Sequence, residues 1–191
     1  MTRRFYHDVS DKEGIRSNSV YSLLVDDRGA VWVGHFQAGL DYSLYQNGLF
    51  RTYAYPPLFN SANLSIRSFI SRGQEKVIGS RDGLFYINEA TGMVKSFVKP
   101  VLTSDLILTI SFYQGEYYIG TYGGGMMVLN PETLSLKYFS QSDTELFQKG
   151  HIFCVKPDTK GNLWIGTSQG LFNYNGQTKQ IKHFTSANSQ L

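Results

Sequence analysis

Cysteine is almost missing from this chain, with Cys154 the single copy in 191 residues. No intramolecular disulfide can form, which fits either a reducing compartment or an exported protein that needs no staples. Long apolar runs are missing too. None approaches the roughly 18 residues that span a bilayer, and the opening Met1–Gly14 has basic residues without the apolar stretch of a signal peptide. Charge is sparse at 17%, and the net +3 comes from scattered Lys and Arg. Without a basic stripe, nucleic acid is not an expected partner.

Aromatic residues and glycine are abundant: 13 Tyr, 13 Phe, 2 Trp and 19 Gly. Aromatics suit pleated, half-buried strands and glycine suits tight turns, so the expected class is all-β. The chain also repeats itself. VWVGHFQAGLDY (31–42), KVIGSRDGLFYI (76–87), YYIGTYGGGMMVL (117–129) and LWIGTSQGLFNY (163–174) share an aromatic or Val, an aliphatic residue, Gly, a short turn, then Gly and an apolar residue. The first glycines, Gly34, Gly79, Gly120 and Gly166, are spaced by 45, 41 and 46 residues, a propeller-blade period.

An apolar run precedes each core, starting at Val20, Ile66, Ile107 and Ile152. It begins 11 or 12 residues before the position held by Trp32, Val77, Tyr118 and Trp164, the distance of a hairpin with a short turn such as Asp27-Arg28-Gly29 or Lys160-Gly161-Asn162. The third residue of each run is small (Ser22, Ser68, Thr109, Cys154), so Cys154 is expected as a small buried side chain. Downstream, a basic residue precedes an aromatic by two positions at Arg51/Tyr53, Lys95/Phe97, Lys137/Phe139 and Lys182/Phe184, with a further copy at Arg3/Phe5. Each unit reads as four strands a–b–c–d. Asn47-Gly48 and Asn175-Gly176 are expected as two-residue hairpin turns, and strands a and b are apolar enough to be covered on both faces.

The predicted architecture is therefore a single fragment over 1–191, with blades near 15–55, 62–99, 102–141 and 150–186. Residues 2–7 are expected as the outer strand of a preceding blade. The tail Thr185–Leu191 resembles the entry to the first blade, so an open stretch of a larger propeller is expected, with self-association through apolar end faces. The structural positions are Trp32, Gly34, Gly39, Gly79, Gly83, Gly120, Gly125, Trp164, Gly166 and Gly170, with the tryptophans as spacers between blades.

The first and fourth repeats, GIRSNSVYSLLVDDRGAVWVGHFQAGLDYSL and GHIFCVKPDTKGNLWIGTSQGLFNYNGQTKQIKHFTSAN, closely resemble the two-component regulator propeller repeat. Its pattern runs S-N-x-V-x-S-L-x-x-D-x-x-G-x-L-W-I-G-T-x-x-G-L-x-x-Y. The second and third repeats depart from it, with Val77 and Tyr118 in place of tryptophan and shorter RGQE and YQGE turns. The resemblance implies a periplasmic sensor segment of a Bacteroidetes hybrid two-component system, whose parent is a histidine kinase responding to polysaccharide-derived glycans. The partners implied are a glycan and the parent's other blades. No phosphoacceptor helix or ATP-binding glycine pattern occurs here, and no cofactor or metal is expected.

Gly166-Thr-Ser-Gln-Gly170 reads as G-x-S-x-G, yet a nucleophile elbow turns from strand to helix, and the sister segments lack the serine. Ser168 is therefore no nucleophile. Asp26, Asp27 and Asp82 stand where turns want aspartate rather than as a carboxylate pair. Tyr122–Gly125 is expected as a bulged b–c turn. A ligand face, if built from b–c turns, would offer His35, Phe36, Gln37, Arg81, Asp82, Tyr122 and Gln169. The leading expectation is a non-catalytic sensory module. Its rivals are a lyase or glycosidase on a propeller scaffold, or a general protein-interaction propeller.

Overall fold

The computed structural model describes residues 4–44, 49–53, 64–139 and 146–188. They form an all-β protein of four propeller blades, each a four-stranded antiparallel meander with its strands in chain order. Blade 1 holds β1 (Val20–Val25), β2 (Ala30–His35), β3 (Leu40–Leu44) and β4 (Arg51–Thr52). Blade 2 holds β5 (Ile66–Arg72), β6 (Glu75–Ser80), β7 (Leu84–Asn88) and β8 (Met93–Phe97). Blade 3 holds β9 (Ile107–Tyr113), β10 (Glu116–Thr121), β11 (Met126–Leu129) and β12 (Leu136–Tyr138). Blade 4 holds β13 (Ile152–Pro157), β14 (Asn162–Thr167), β15 (Gly170–Asn175) and β16 (Ile181–Phe184). One helical turn, α1 (Leu146–Lys149), precedes blade 4.

The chain divides into two compact units, 1–96 and 97–191. Repeats touch mainly their neighbours, so contact density can thin at a blade boundary. In the first unit Trp32 packs with Leu40, Ile66, Phe69, Ile78 and Phe85. In the second, Tyr113, Tyr118, Phe139, Phe147, Ile152, Val155 and Tyr174 share a core.

Register gives the repeated glycines two jobs. The first glycine of each copy faces the small residue of strand a: Ser22↔Gly34, Ser68↔Gly79, Thr109↔Gly120, Cys154↔Gly166. A Cβ on Gly34 would lie 3.0 Å from Ile66 Cγ2, and one on Gly120 would lie 2.7 Å from Ile152 Cγ2. The bare backbone therefore admits the first residue of the next blade. The second glycine (Gly39, Gly83, Gly125, Gly170) has positive φ in every copy, 76°, 132°, 71° and 117°, because the b–c turn closes through that region.

Four expectations are corrected. Residues 4–7 form no strand; Phe5 instead stands edge-on to Phe50, and His7 is held by Asn18 Oδ1 and the Ile15 carbonyl. Asn175-Gly176 is no two-residue turn: the Asn175 N–H reaches the Gln180 carbonyl, and its Oδ1 accepts from the Gln177 and Thr178 N–H groups. Gly176 is small because Tyr113 Oη receives its N–H from the neighbouring blade. Cys154 is exposed, unlike Thr109 at the same place in blade 3, which is buried. β1 is likewise mostly exposed instead of covered on both faces. Asn47-Gly48 lies outside the described residues.

Candidate functional site

Each blade has two loop ends. At the a–b end, aspartate organises the turn. Asp26 Oδ1 accepts from the Arg28 and Ala30 N–H groups, while Oδ2 accepts from Trp32 Nε1 at 3.0 Å. Asp158 repeats the pattern with the Lys160 and Asn162 N–H groups and Trp164 Nε1, again at 3.0 Å. One carboxylate thus ties the turn to the ring that follows it by six residues. Burial raises the Asp26 pKa, but the Trp32, Ala30 and Arg28 hydrogen bonds outweigh it and hold it below its ordinary value. Hydrogen bonds from Asn162, helped by Trp164 and Lys160, hold Asp158 at about 2 against modest desolvation. These carboxylates are occupied by turn donors, which leaves them poorly suited to act as an acid–base pair.

At the b–c end a hydroxyl staples the turn. Ser80, Thr121 and Thr167 donate to the carbonyls of Gly83, Gly125 and Gly170 and accept from the N–H groups of Asp82, Gly124 and Gln169. In blade 1 His35 takes that place. Its Nε2 lies 2.9 Å from Asp41 Oδ2, which also accepts from the Arg16 N–H at 2.8 Å. His35 and Asp41 are buried, so the expectation that His35 faces a ligand is corrected.

The other expected positions lie as follows. In the first unit Phe36 is half-buried against Tyr21, centroids 5.2 Å apart, and Arg67 reaches over the Tyr21 ring at 4.9 Å. Gln37 is exposed at φ 52°, with its N–H on Ser65 Oγ. Arg81 and Asp82 are exposed, and their N–H groups bond the Ser65 carbonyl and Ser80 Oγ. In the second unit Gln169 is exposed and its carbonyl lies 2.8 Å from His183 Nε2. Ser168 is an exposed turn residue whose N–H meets the His151 carbonyl.

Tyr122 differs from these. It projects from the blade 3 b–c turn and stacks on His151, centroids 4.0 Å apart at 29°. His151 in turn lies 6.2 Å from Phe153 at 23°. Tyr122 is 52% and Phe153 49% exposed, so the three rings form a ladder open to water. Tyr122–Gly125, which presents it, is the b–c turn between β10 and β11, with the register shift one step earlier at Gly120/Thr121, and its glycines answer to close neighbours. A Cβ on Gly125 would lie 2.0 Å from the Phe147 carbonyl oxygen of α1, and one on Gly124 would lie 2.6 Å from Thr103 Oγ1. Sequence reading found Tyr122 and missed His151 and Phe153, which come from the next blade. Among the described residues, no group of three or more His, Cys, Asp or Glu is placed to hold a metal.

The family model described as two component regulator propeller matches residues 14–37 and 147–169, two segments that fall at the first and fourth blades. No curated protein matches the chain. The extracellular domain of a hybrid two-component system of B. thetaiotaomicron matches with 26% identity and a TM-score of 0.70, over 93% of this chain and 25% of that one. A second extracellular domain from the same organism matches with 18% identity and TM-score 0.54, over 95% and 28%. PorZ, a surface component of the type-IX secretion system of Porphyromonas gingivalis, matches with 15% identity and TM-score 0.70, over 100% and 30%. The last two share the fold. The chain spans about a quarter of the first solved domain's length.

Proposed function

We propose that this segment is a non-catalytic, ligand-binding part of the periplasmic sensor region of a hybrid two-component system, and that its ligand is a polysaccharide-derived glycan. The observation that carries the reading is the Tyr122–His151–Phe153 ladder. Half-exposed rings in line offer apolar faces of sugar-ring size, the kind of surface that soluble proteins keep exposed for a ligand. The 26% identity to an extracellular domain of such a system supports the sensor class. Binding would act by shifting the population of propeller arrangements that bias a kinase in the parent chain.

Calorimetry against plant and host oligosaccharides, followed by a product assay, tests this. Binding without turnover is expected, with Tyr122→Ala and Phe153→Ala each weakening it at least tenfold, about 1.4 kcal/mol. Product formation would establish the rival enzyme instead. Binding unchanged in both variants would remove the ladder from the site.

A further inference from the structure

The b–c end of each blade carries a second repeated irregularity, this one in strand a. Pairing with strand b slips by one residue between Val20 and Ser22, Ile66 and Ser68, Ile107 and Thr109, and Ile152 and Cys154, so Tyr21, Arg67, Leu108 and Phe153 are each the extra residue of a bulge. A bulge near a strand end re-aims the side chain that it carries. The four are alike in place and unlike in chemistry: two rings, one aliphatic chain and one guanidinium. Phe153 belongs to the ladder described above, and Arg67 is the departure.

Arg67 is half-buried in the first unit, its guanidinium carbon 4.9 Å from the centroid of the Tyr21 ring, and Tyr21 lies 5.2 Å from Phe36. Among the described residues its Nε is buried without a hydrogen-bond partner, and no carboxylate pairs with it. Stacking engages the face of a guanidinium and leaves the N–H donors in its plane for an acceptor. Partly burying such a charge without a counter-ion is costly, so the arrangement suits an anion supplied from outside.

Arg81 adds a second guanidinium. Its N–H bonds the Ser65 carbonyl as the Phe36 N–H bonds the Ser19 carbonyl, in each case two residues before the bulged one. Arg81 therefore has the place by Arg67 that Phe36 has by Tyr21, and it is exposed. Every contact here lies within blades 1 and 2 of one compact unit.

We infer that Arg67 and Arg81, with the Tyr21 and Phe36 rings, form a subsite for a sugar bearing an anionic group, a carboxylate or a sulfate. The rings offer apolar faces to the sugar and the guanidinium takes the anion through paired N–H donors. The inference rests on the reading that the segment binds glycans, and it names a class within them, the acidic ones.

Calorimetry with a uronate oligosaccharide, a sulfated oligosaccharide and their carboxyl-reduced and desulfated counterparts tests it and separates the two anions. At least one acidic ligand is expected to bind about tenfold tighter than its neutral counterpart, a preference that shrinks as salt is raised. Arg67→Gln and the exposed Arg81→Gln should each reduce that preference with circular dichroism unchanged. Asp82→Asn, which removes the acidic neighbour of Arg81 in the turn, should raise it. Equal affinity for acidic and neutral ligands, or a preference that survives both arginine variants, would overturn the inference and leave the glycan reading standing. Absence of binding to every oligosaccharide would overturn both.

Discussion

Asp26 and Asp158 show how much one side chain can organise. Each gathers two turn N–H groups and an indole N–H, so removing the carboxylate's charge loosens turn and ring together. Asp158 titrates at about 2 when folded and at its ordinary 3.8 when unfolded. Its contribution is therefore present above pH 3.8 and lost as pH falls from there toward 2. Trp164 fluorescence is expected to change over that interval. Asp158→Asn should flatten the change, and an unaltered acid profile in that variant would assign it to other carboxylates. The Asp-to-Trp spacing stands in the sequence at both places. The bond itself was not legible there, because it requires the turn to fold the indole back over the carboxylate. His35 shows the opposite limit: it occupies a turn position like an exposed loop residue, and only the packing around Asp41 buries it.

Among elements, the b-strand glycines were legible as repeated positions, but their unequal surroundings were not. Gly120→Ala would drive a methyl to within 2.7 Å of both Thr109 Cγ2 and Ile152 Cγ2, forcing blades 3 and 4 apart. A loss of about 1–3 kcal/mol in urea unfolding is expected, the usual cost of overpacking. Among the described residues Gly166→Ala meets Cys154 alone, closely at Sγ (2.6 Å) and in ordinary contact at the carbonyl oxygen (3.9 Å), and Cys154→Ala should largely relieve it. Equal costs at the two glycines would mean that the following strand does not determine the penalty. The c–d turns carry a repeat that sequence reading overlooked. Asn88, Asn130 and Asn175 each accept from the N–H groups two and three residues on, in N-x-x-T segments. It was visible in the letters and was masked by the turn-forming reputation of Asn-Gly.

For the whole molecule, two compact units mean that a lesion should be felt mainly where it lies. In the first unit, Lys76 is fully buried with its Nζ 3.1 Å from Glu89 Oε2 and 2.9 Å from the Gly73 carbonyl, near the Trp32 ring, and Tyr53 Oη donates to Glu89 Oε1. Glu89→Ala leaves that ammonium without its counter-ion. A loss of about 2–4 kcal/mol is expected, below the full cost of breaking a buried pair because Glu89 is partly exposed. Hydrogen exchange should quicken across β1–β8 more than across β9–β16. A uniform acceleration would instead make the chain one cooperative unit.

The all-β class, the four blades, the strand-a to strand-b distance and both glycine positions followed from the sequence by itself. A local period of alternating strands and left-handed turns leaves its mark on nearby residues. Tertiary structure alone decided which surfaces are open. Leu23 has the same local pattern as the buried Phe69 and Val155, Cys154 stands at the same place as the buried Thr109, and Tyr122, His151 and Phe153 meet only when blade 4 lies against blade 3. Exposure and stacking depend on neighbours far along the chain, and a local pattern carries no record of whether the neighbouring face is covered.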